Sequence, residues 1–468
     1  MKPHHTWTKT LALVAFVLAL GTAIPLHAQP YPVPPTWGGD LGSRERLTGD
    51  WDGVRDELGK KGVVFDADVY WLPQKVVSGG RDSGGGGWGN AFATLNVDTQ
   101  KAGLWPGGFL NIQTVTSFGH DIYRDTGAFV PANLGWLTPG TQPDTGLQSF
   151  TFMQFLSEKF GLVAGKLNLL ATSNQFYGDY RTGFLNTGIN LPLVLDLVPL
   201  SAYGGGALYL PSDNITLTAM AVDPNGTIES DDMGSAFDNG VMALASGDVK
   251  IKPFGLPGHQ TVTLSWSNKD RISLTQDPSN IARLLLTDRF PRLGDPGPIL
   301  TDILTRFAPG LLVPAQPLNQ ESTTWAAVYG FEQYLWQPAG DPKGGIGTFF
   351  NFGVSDGRAN PVKRSYSMGL VGKGVVPGRP RDDLGIGWAH TKFSDNFVPF
   401  LRSTFDLGLD HEDAVELYYN ASITPWLTVG PSLQVIRSGL NKELDSSNRS
   451  FKDLDTTYVA GVRVGIRF

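Results

Sequence analysis

The chain has 468 residues, with 58 Gly, 32 Pro and no Cys, 41% hydrophobic and 11% aromatic residues, mean hydropathy −0.10 and a formal charge of −7. Such polarity excludes a bundle of membrane helices, each of which needs about 20 consecutive apolar residues, and the lack of cysteine excludes disulfides, thiolate metal sites and cysteine nucleophiles. Loss of a leader carrying Lys2 and Lys9 takes the charge to −9, and a mildly acidic chain without a basic block argues against nucleic acid as partner.

Lys2 and Lys9 precede an apolar run over 11–20, and Leu26, His27 and Ala28 offer a cleavage site before Gln29. Charged n-region, short apolar core and small residue at the cut predict a secretory signal peptide over 1–28. His4 and His5 lie in this discarded part and are no metal site. Residues 29–47, with Pro30, Pro32, Pro34 and Pro35, read as an extended tether. The main folded body is expected over 48–468. It opens with a short helix, with Asp50 as its cap, Trp51, Val54 and Leu58 on one stripe and Gly62 as its stop.

Period-two alternation then recurs. Ala93, Leu95 and Val97 alternate with Thr94, Asn96 and Asp98, and Ile215, Leu217 and Ala219 with Thr216, Thr218 and Met220. Val262, Leu264 and Trp266 alternate with Thr261, Thr263 and Ser265, and Trp325, Ala327, Tyr329 and Phe331 with Ala326, Val328, Gly330 and Glu332. Alternation of this kind gives antiparallel strands with one apolar and one polar face, which suits a wall between lipid and water as well as a soluble sandwich. Three stretches resist it. Residues 81–89 read as a glycine-rich turn, which lacks the Lys-Ser/Thr and the strand-to-helix setting of a phosphate loop. Residues 169–206 are long and proline-punctuated, and 273–320 hold helix-like pieces at 281–290 and 299–307. Loops of that length are usually functional, and in a barrel they can fold inward.

The chain ends on the clearest strand. Tyr458, Ala460, Val462, Val464, Ile466 and Phe468 share one face, and Val459, Gly461, Arg463, Gly465 and Arg467 the other. The run matches the roughly 9–11 tilted residues that cross a hydrocarbon layer. A terminal phenylalanine carboxylate is also the closing signature of bacterial outer-membrane barrels, which this stretch resembles.

Several blocks carry a family resemblance. Gly49, Asp50, Trp51 and Gly53, with Arg55 and Leu58, are similar to the segment that precedes the first strand in the carbohydrate-selective porins, the OprB family. Asp52 stands where that family usually has glycine. The runs 350–361, 369–380 and 382–387 follow the family's order and spacing, and 415–427 with 431–436 resemble its penultimate hairpin. Together they extend the resemblance from about residue 47 to the end. It implies an all-β fold, a transmembrane antiparallel β-barrel of 16 strands with a short N-terminal helix and long inward or extracellular loops. It also implies passive diffusion of mono- or short oligosaccharides through the outer membrane of a Gram-negative bacterium, with membrane lipids and the barrel assembly machinery as partners; homo-oligomer formation is left open. About 440 mature residues over ~16 strands leave roughly 27 per strand and connection, a comfortable figure for a porin.

Catalytic signatures are lacking in the sequence. There is no GxSxG elbow and no HExxH, and His120, His259, His390 and His411 are too scattered for a ligand set. Asp382 with Asp383 and Glu412 with Asp413 are neighbours whose side chains point apart in a strand, so they read as rim or turn residues rather than an acid/base pair. The expectation is a protein without enzymatic activity, cofactor or metal. A channel selects by width and by the donors and charges that line it, and neutral sugars present hydroxyls and apolar ring faces. The stretch 174–181 combines amides, rings and charges, so Arg181, supported by Tyr177, Asp179 and Tyr180, is the candidate constriction group, with Lys166 beside it. A general or anion-preferring porin is the alternative; a secreted β-rich binding or adhesion protein would leave the outward apolar faces and Phe468 unexplained.

Overall fold

The computed structural model describes residues 33–138, 144–170, 174–230, 233–276, 317–341, 343–397, 408–444 and 451–468, with the single positions Asp302 and Arg306. Sixteen antiparallel strands close into one barrel: β1 (Val63–Ser78), β2 (Gly85–Asp98), β3 (Gly108–His120), β4 (Asp144–Ser157), β5 (Phe160–Asn168), β6 (Ser201–Ser212), β7 (Ile215–Val222), β8 (Met242–Ile251), β9 (Gly258–Ser267), β10 (Thr324–Trp336), β11 (Gly345–Ser355), β12 (Val362–Lys373), β13 (Asp383–Phe393), β14 (His411–Thr424), β15 (Leu427–Arg437) and β16 (Thr457–Arg467). The seam closes with Val69 opposite Ile466 and Trp71 opposite Val464. The expected signal peptide and the helix-like pieces expected at 281–290 and 299–307 fall outside the described residues, apart from Asp302 and Arg306.

Alternation decides which face each residue takes. Along β10, Ala326, Val328, Gly330 and Glu332 are buried inward while Trp325 is exposed outward; along β14, Glu416, Tyr418 and Asn420 turn in, and Val415, Leu417 and Ile423 turn out. Outward Leu217, Leu264, Leu370 and Leu433 continue this exposed apolar belt around the wall, the surface a barrel presents to lipid. Both termini of the barrel lie at the end with tight connections, such as 158–159, 213–214 and 425–426. The opposite end carries the longer connections, with the described stretches 121–138, 174–200, 223–230, 233–241, 268–276 and 317–323. Short turns on the periplasmic side and long loops outside set the orientation.

The run 81–89 is not all turn. Gly85 to Gly89 belong to β2 and pair with Lys75 to Trp71. A Cβ on Gly89 would lie 2.2 Å from the Phe118 ring and one on Gly87 2.8 Å from Trp71 Nε1. The glycines are where neighbouring aromatic rings lie across the strand, a recognised use of glycine in sheets. Likewise 169–206 is a shorter loop, because Ser201 to Gly206 already pair within the wall.

The opening helix, α1 (Val54–Lys60), also differs from the sequence reading. Its cap position is Gly53, and Trp51, Asp52 and Gly53 all have left-handed backbone, φ 55°, 56° and 88°. Three such residues separate Asp50 from the helix, so Asp50 gives its main-chain oxygen to Arg55 N (2.9 Å) rather than capping with its side chain. Asp52 reaches the left-handed region without being glycine, as Asp does more readily than most residues. The buried stripe is Arg55 and Gly59, not Trp51, Val54 and Leu58; Val54 is exposed. Gly59 packs where a Cβ would lie 2.6 Å from Trp37. Trp37 itself is 3% exposed, so the described end of the expected tether is packed beneath the barrel. The reason is Arg55, whose guanidinium lies 5.2 and 4.9 Å from the rings of Trp37 and Trp51.

Candidate functional site

The core sits between the wall and two loops folded into the barrel, 121–138 and 174–200. The first carries α2 (Tyr123–Thr126), the second α3 (Thr187–Asn190). Phe176, Tyr177, Phe184 and Ile189 pack on Tyr334, Phe349, Val371 and Tyr418 of the wall. Tyr177 stacks on Phe349 at 4.8 Å, and Phe184 meets Tyr418 edge-on at 4.9 Å. Tyr180 and Leu185 join Tyr70, Leu72, Phe92 and Leu134 on the other side. Burying these rings stabilises an ordered loop in the lumen, at about 25 cal/mol per Å² of apolar surface covered.

Three inward glutamates hold the loop backbones. Glu332 of β10 accepts from Gln175 N (2.8 Å) and Phe176 N (2.7 Å). Glu416 of β14 accepts from Leu185 N (2.9 Å), Asn186 N (2.8 Å) and Ser432 Oγ (2.9 Å). Glu412 accepts from Phe129 N, Val130 N and Gly439 N at 2.8–3.0 Å. Each carboxylate takes a pair of successive loop amides that a folded loop would otherwise leave unpaired, and bonds to charged acceptors are the strong ones. Amides and one guanidinium complete the fastening: Asn420 Nδ2 donates to Thr182 O (2.8 Å), Asn360 Nδ2 to Val194 O (2.8 Å) and the buried Arg463 to Gly183 O. Tyr177 Oη donates to Asn351 Oδ1 (2.9 Å) and Tyr180 Oη to Asn90 Oδ1 (3.0 Å).

Between loop and wall remains a cavity of about 380 Å³. Arg181, Tyr177, Asp179 and Tyr180 all line it, together with Phe92, Gln113, Gln148, Asn168, Lys373, Asp383 and Tyr418. Arg181 is one-third exposed and forks onto Asp179, Nε to Oδ1 at 2.8 Å and Nη2 to Oδ2 at 2.9 Å, with its guanidinium 5.4 Å from the Phe92 ring. Asp179 holds the Arg181 guanidinium well above its ordinary pKa against the effect of burial. Burial alone would raise Asp179, but Arg181 and its hydrogen bonds override it and hold the carboxyl below the usual range. The two therefore form a fixed dipole, with donors on one side and no large net charge.

Lys166 lies elsewhere. Its side chain is 0% exposed and its amine donates to Ile228 O (3.0 Å) and to Ser230 O, fastening the loop over 223–230. Lys373 takes the cationic place in the cavity instead, donating to Gln175 O and lying 5.6 Å from the Phe176 ring. Asp382 and Asp383 do point apart: Asp382 binds Arg379 in the turn, while Asp383 turns inward to Asn420. Sequence reasoning missed Lys373, Asp383 and the glutamate clamps. Their signal was parity, because Glu332 and Glu416 stand at inward positions of otherwise well-patterned strands.

The sequence model of the carbohydrate-selective porin, OprB family, matches residues 87–468. The chain belongs to this family. Porin B of Pseudomonas aeruginosa is 30% identical over 146 residues, 28% of this chain, and the match spans 30% of that relative's length. The structure of Pseudomonas putida OprB at high pH covers 92% of this chain and 100% of its own at TM-score 0.73 and 20% identity. Its low-pH structure covers 91% and 99% at TM-score 0.52 and 18% identity. Both likenesses are in fold. Family and barrel are those of an outer-membrane channel, with the lumen as its path.

Proposed function

We propose that this OprB-family chain is a passive, carbohydrate-selective channel of the outer membrane, passing mono- or short oligosaccharides down their gradient without catalysis or cofactor. The signal peptide over 1–28 would export it, the assembly machinery would insert it, and sugars would be its passing partners. The observation that carries the reading is the inward loop, whose Arg181–Asp179 pair stands beside Phe92 and Tyr180 in a cavity lined with amides. Sugar hydroxyls find donors on the guanidinium and amides and acceptors on the carboxylates, while the rings cover the apolar sugar face. Pairing of Arg181 with Asp179 favours this over the anion-preferring alternative, since a compensated charge attracts ions weakly. The test is planar-bilayer conductance with a panel of sugars as blockers. Arg181→Ala is expected to raise conductance and weaken sugar block; an assembled variant with unchanged conductance, ion selectivity and block would reject the reading of this site.

A further inference from the structure

On the outer surface of β12–β15 the strand register arranges side chains in rows. Leu370, Ile386, Leu417 and Leu433 face one another across the sheet, and the next row towards the long loops is Met368, Trp388, Val415 and Val435. Above it stand Tyr366, His390, Asp413 and Arg437, and last come Arg364, Lys392 and His411. Within these rows the wall passes from the apolar belt to a cationic shelf. Two of the four histidines that looked scattered in sequence meet here, His390 stacking on His411 at 5.2 Å and on Trp388 at 5.8 Å.

The carboxylates of this patch are engaged from within. Asp413 accepts from His390 Nδ1 (2.9 Å) and Trp388 Nε1 (3.2 Å), and Asp410 from His411 Nδ1 (2.9 Å) and Lys392. Arg364 and Arg437 are both exposed, and neither side chain has a hydrogen bond or ion pair to a described residue. Two guanidinium groups without a partner among the described residues, at the outer edge of a lipid-facing surface, meet headgroups, and guanidinium is the group best matched to phosphate oxygens.

We propose that this sector binds an outer-leaflet glycolipid with a phosphorylated sugar headgroup, Arg364 and Arg437 taking phosphates and the Trp388, His390 and His411 rings supporting the sugar. Three inter-strand spacings of roughly 4.8 Å separate β12 from β15, so the two arginines engage separate phosphates. The site faces away from the lumen and stands independently of the sugar path.

The test uses the full chain, delipidated in detergent and titrated with micelles containing a bis-phosphorylated glycolipid, with phosphatidylglycerol micelles and inorganic phosphate as separate arms. Bound lipid is read by native mass spectrometry. The double variant R364Q/R437Q is expected to bind the glycolipid about a hundredfold more weakly, the loss of two charge-assisted contacts at about tenfold each. R364K/R437K is expected to keep most of the binding, and sugar block of the conductance to stay as in the parent. Should the double variant not assemble, R437Q alone carries the test with a smaller loss. Unchanged glycolipid binding by the glutamine variants overturns the proposal. Equal binding of phosphatidylglycerol, or occupation by inorganic phosphate alone, does so too, because the headgroup would not be recognised. A change in oligomer mass at constant bound lipid would assign the patch to a second copy of the chain and also overturns it.

Discussion

Arg55 donates through both terminal nitrogens to the main-chain oxygen of Phe468, at 3.2 and 3.1 Å, and so ties the opening helix to the last residue of the barrel. The same guanidinium reaches Phe65 O (2.8 Å) and Asp66 Oδ1 (3.0 Å) on β1. One side chain thus bridges both strands of the closing seam, and Phe468 N adds a bond to Ala67 O at 2.7 Å.

Arg55→Ala is expected to destabilise the barrel by about 2–4 kcal/mol, because it leaves a partly buried carboxylate and carbonyls short of donors. The loss should appear as a lower temperature for the heat-induced mobility shift in detergent gels. Single-channel conductance of assembled protein should stay at the parental value, since Arg55 lies beneath the wall and not in the cavity; a changed conductance with unchanged heat stability would contradict the clasp.

Glu416→Ala removes the acceptor shared by Leu185 N and Asn186 N, and each charge-assisted bond is worth about 1.5–3 kcal/mol. The loop over 174–190 should loosen, seen as higher and noisier conductance, weaker sugar block and faster amide exchange at 185 and 186. Glu416→Gln keeps one acceptor oxygen and should fall between parent and alanine.

Asp179→Asn frees the Arg181 guanidinium and should shift reversal potentials under a salt gradient towards anions, whereas Arg181→Ala shifts them towards cations. The parental pair also fixes a pH response. Asp179 is held below its usual range, so the pair's contribution is fully present above the ordinary carboxyl value of about 4 and is lost as pH falls through the lower folded value. Where this pair sets the preference, it should be flat across neutral pH and turn towards anions only in strong acid; a midpoint near neutrality would contradict the fork geometry.

Asp52→Gly should leave transport unaltered and raise thermal stability by about 0.5–1 kcal/mol, because glycine occupies the left-handed φ of 56° without a Cβ penalty. Asp52→Val should lower it by more, read from the same heat-shift titration.

The sequence by itself determined the wall. A period of two over Ala326 to Glu332 or Val415 to Ile423 admits only one inward set, because a one-residue slip would turn every outward leucine into the water-filled side. It also marked the loop around Arg181, since its length and prolines exclude a hairpin turn. Only the tertiary structure decided what that loop touches. Glu332 and Glu416 are 157 and 231 residues away from the amides they hold, and no local spacing encodes such a pair. Lys166 against Lys373 shows the same limit: both amines stand at strand ends, and their surroundings are set by which loop folds over each. Arg55 could not be placed from helical periodicity, because its burial depends on Phe468 at the far end of the chain and on closure of the barrel that brings the two ends together.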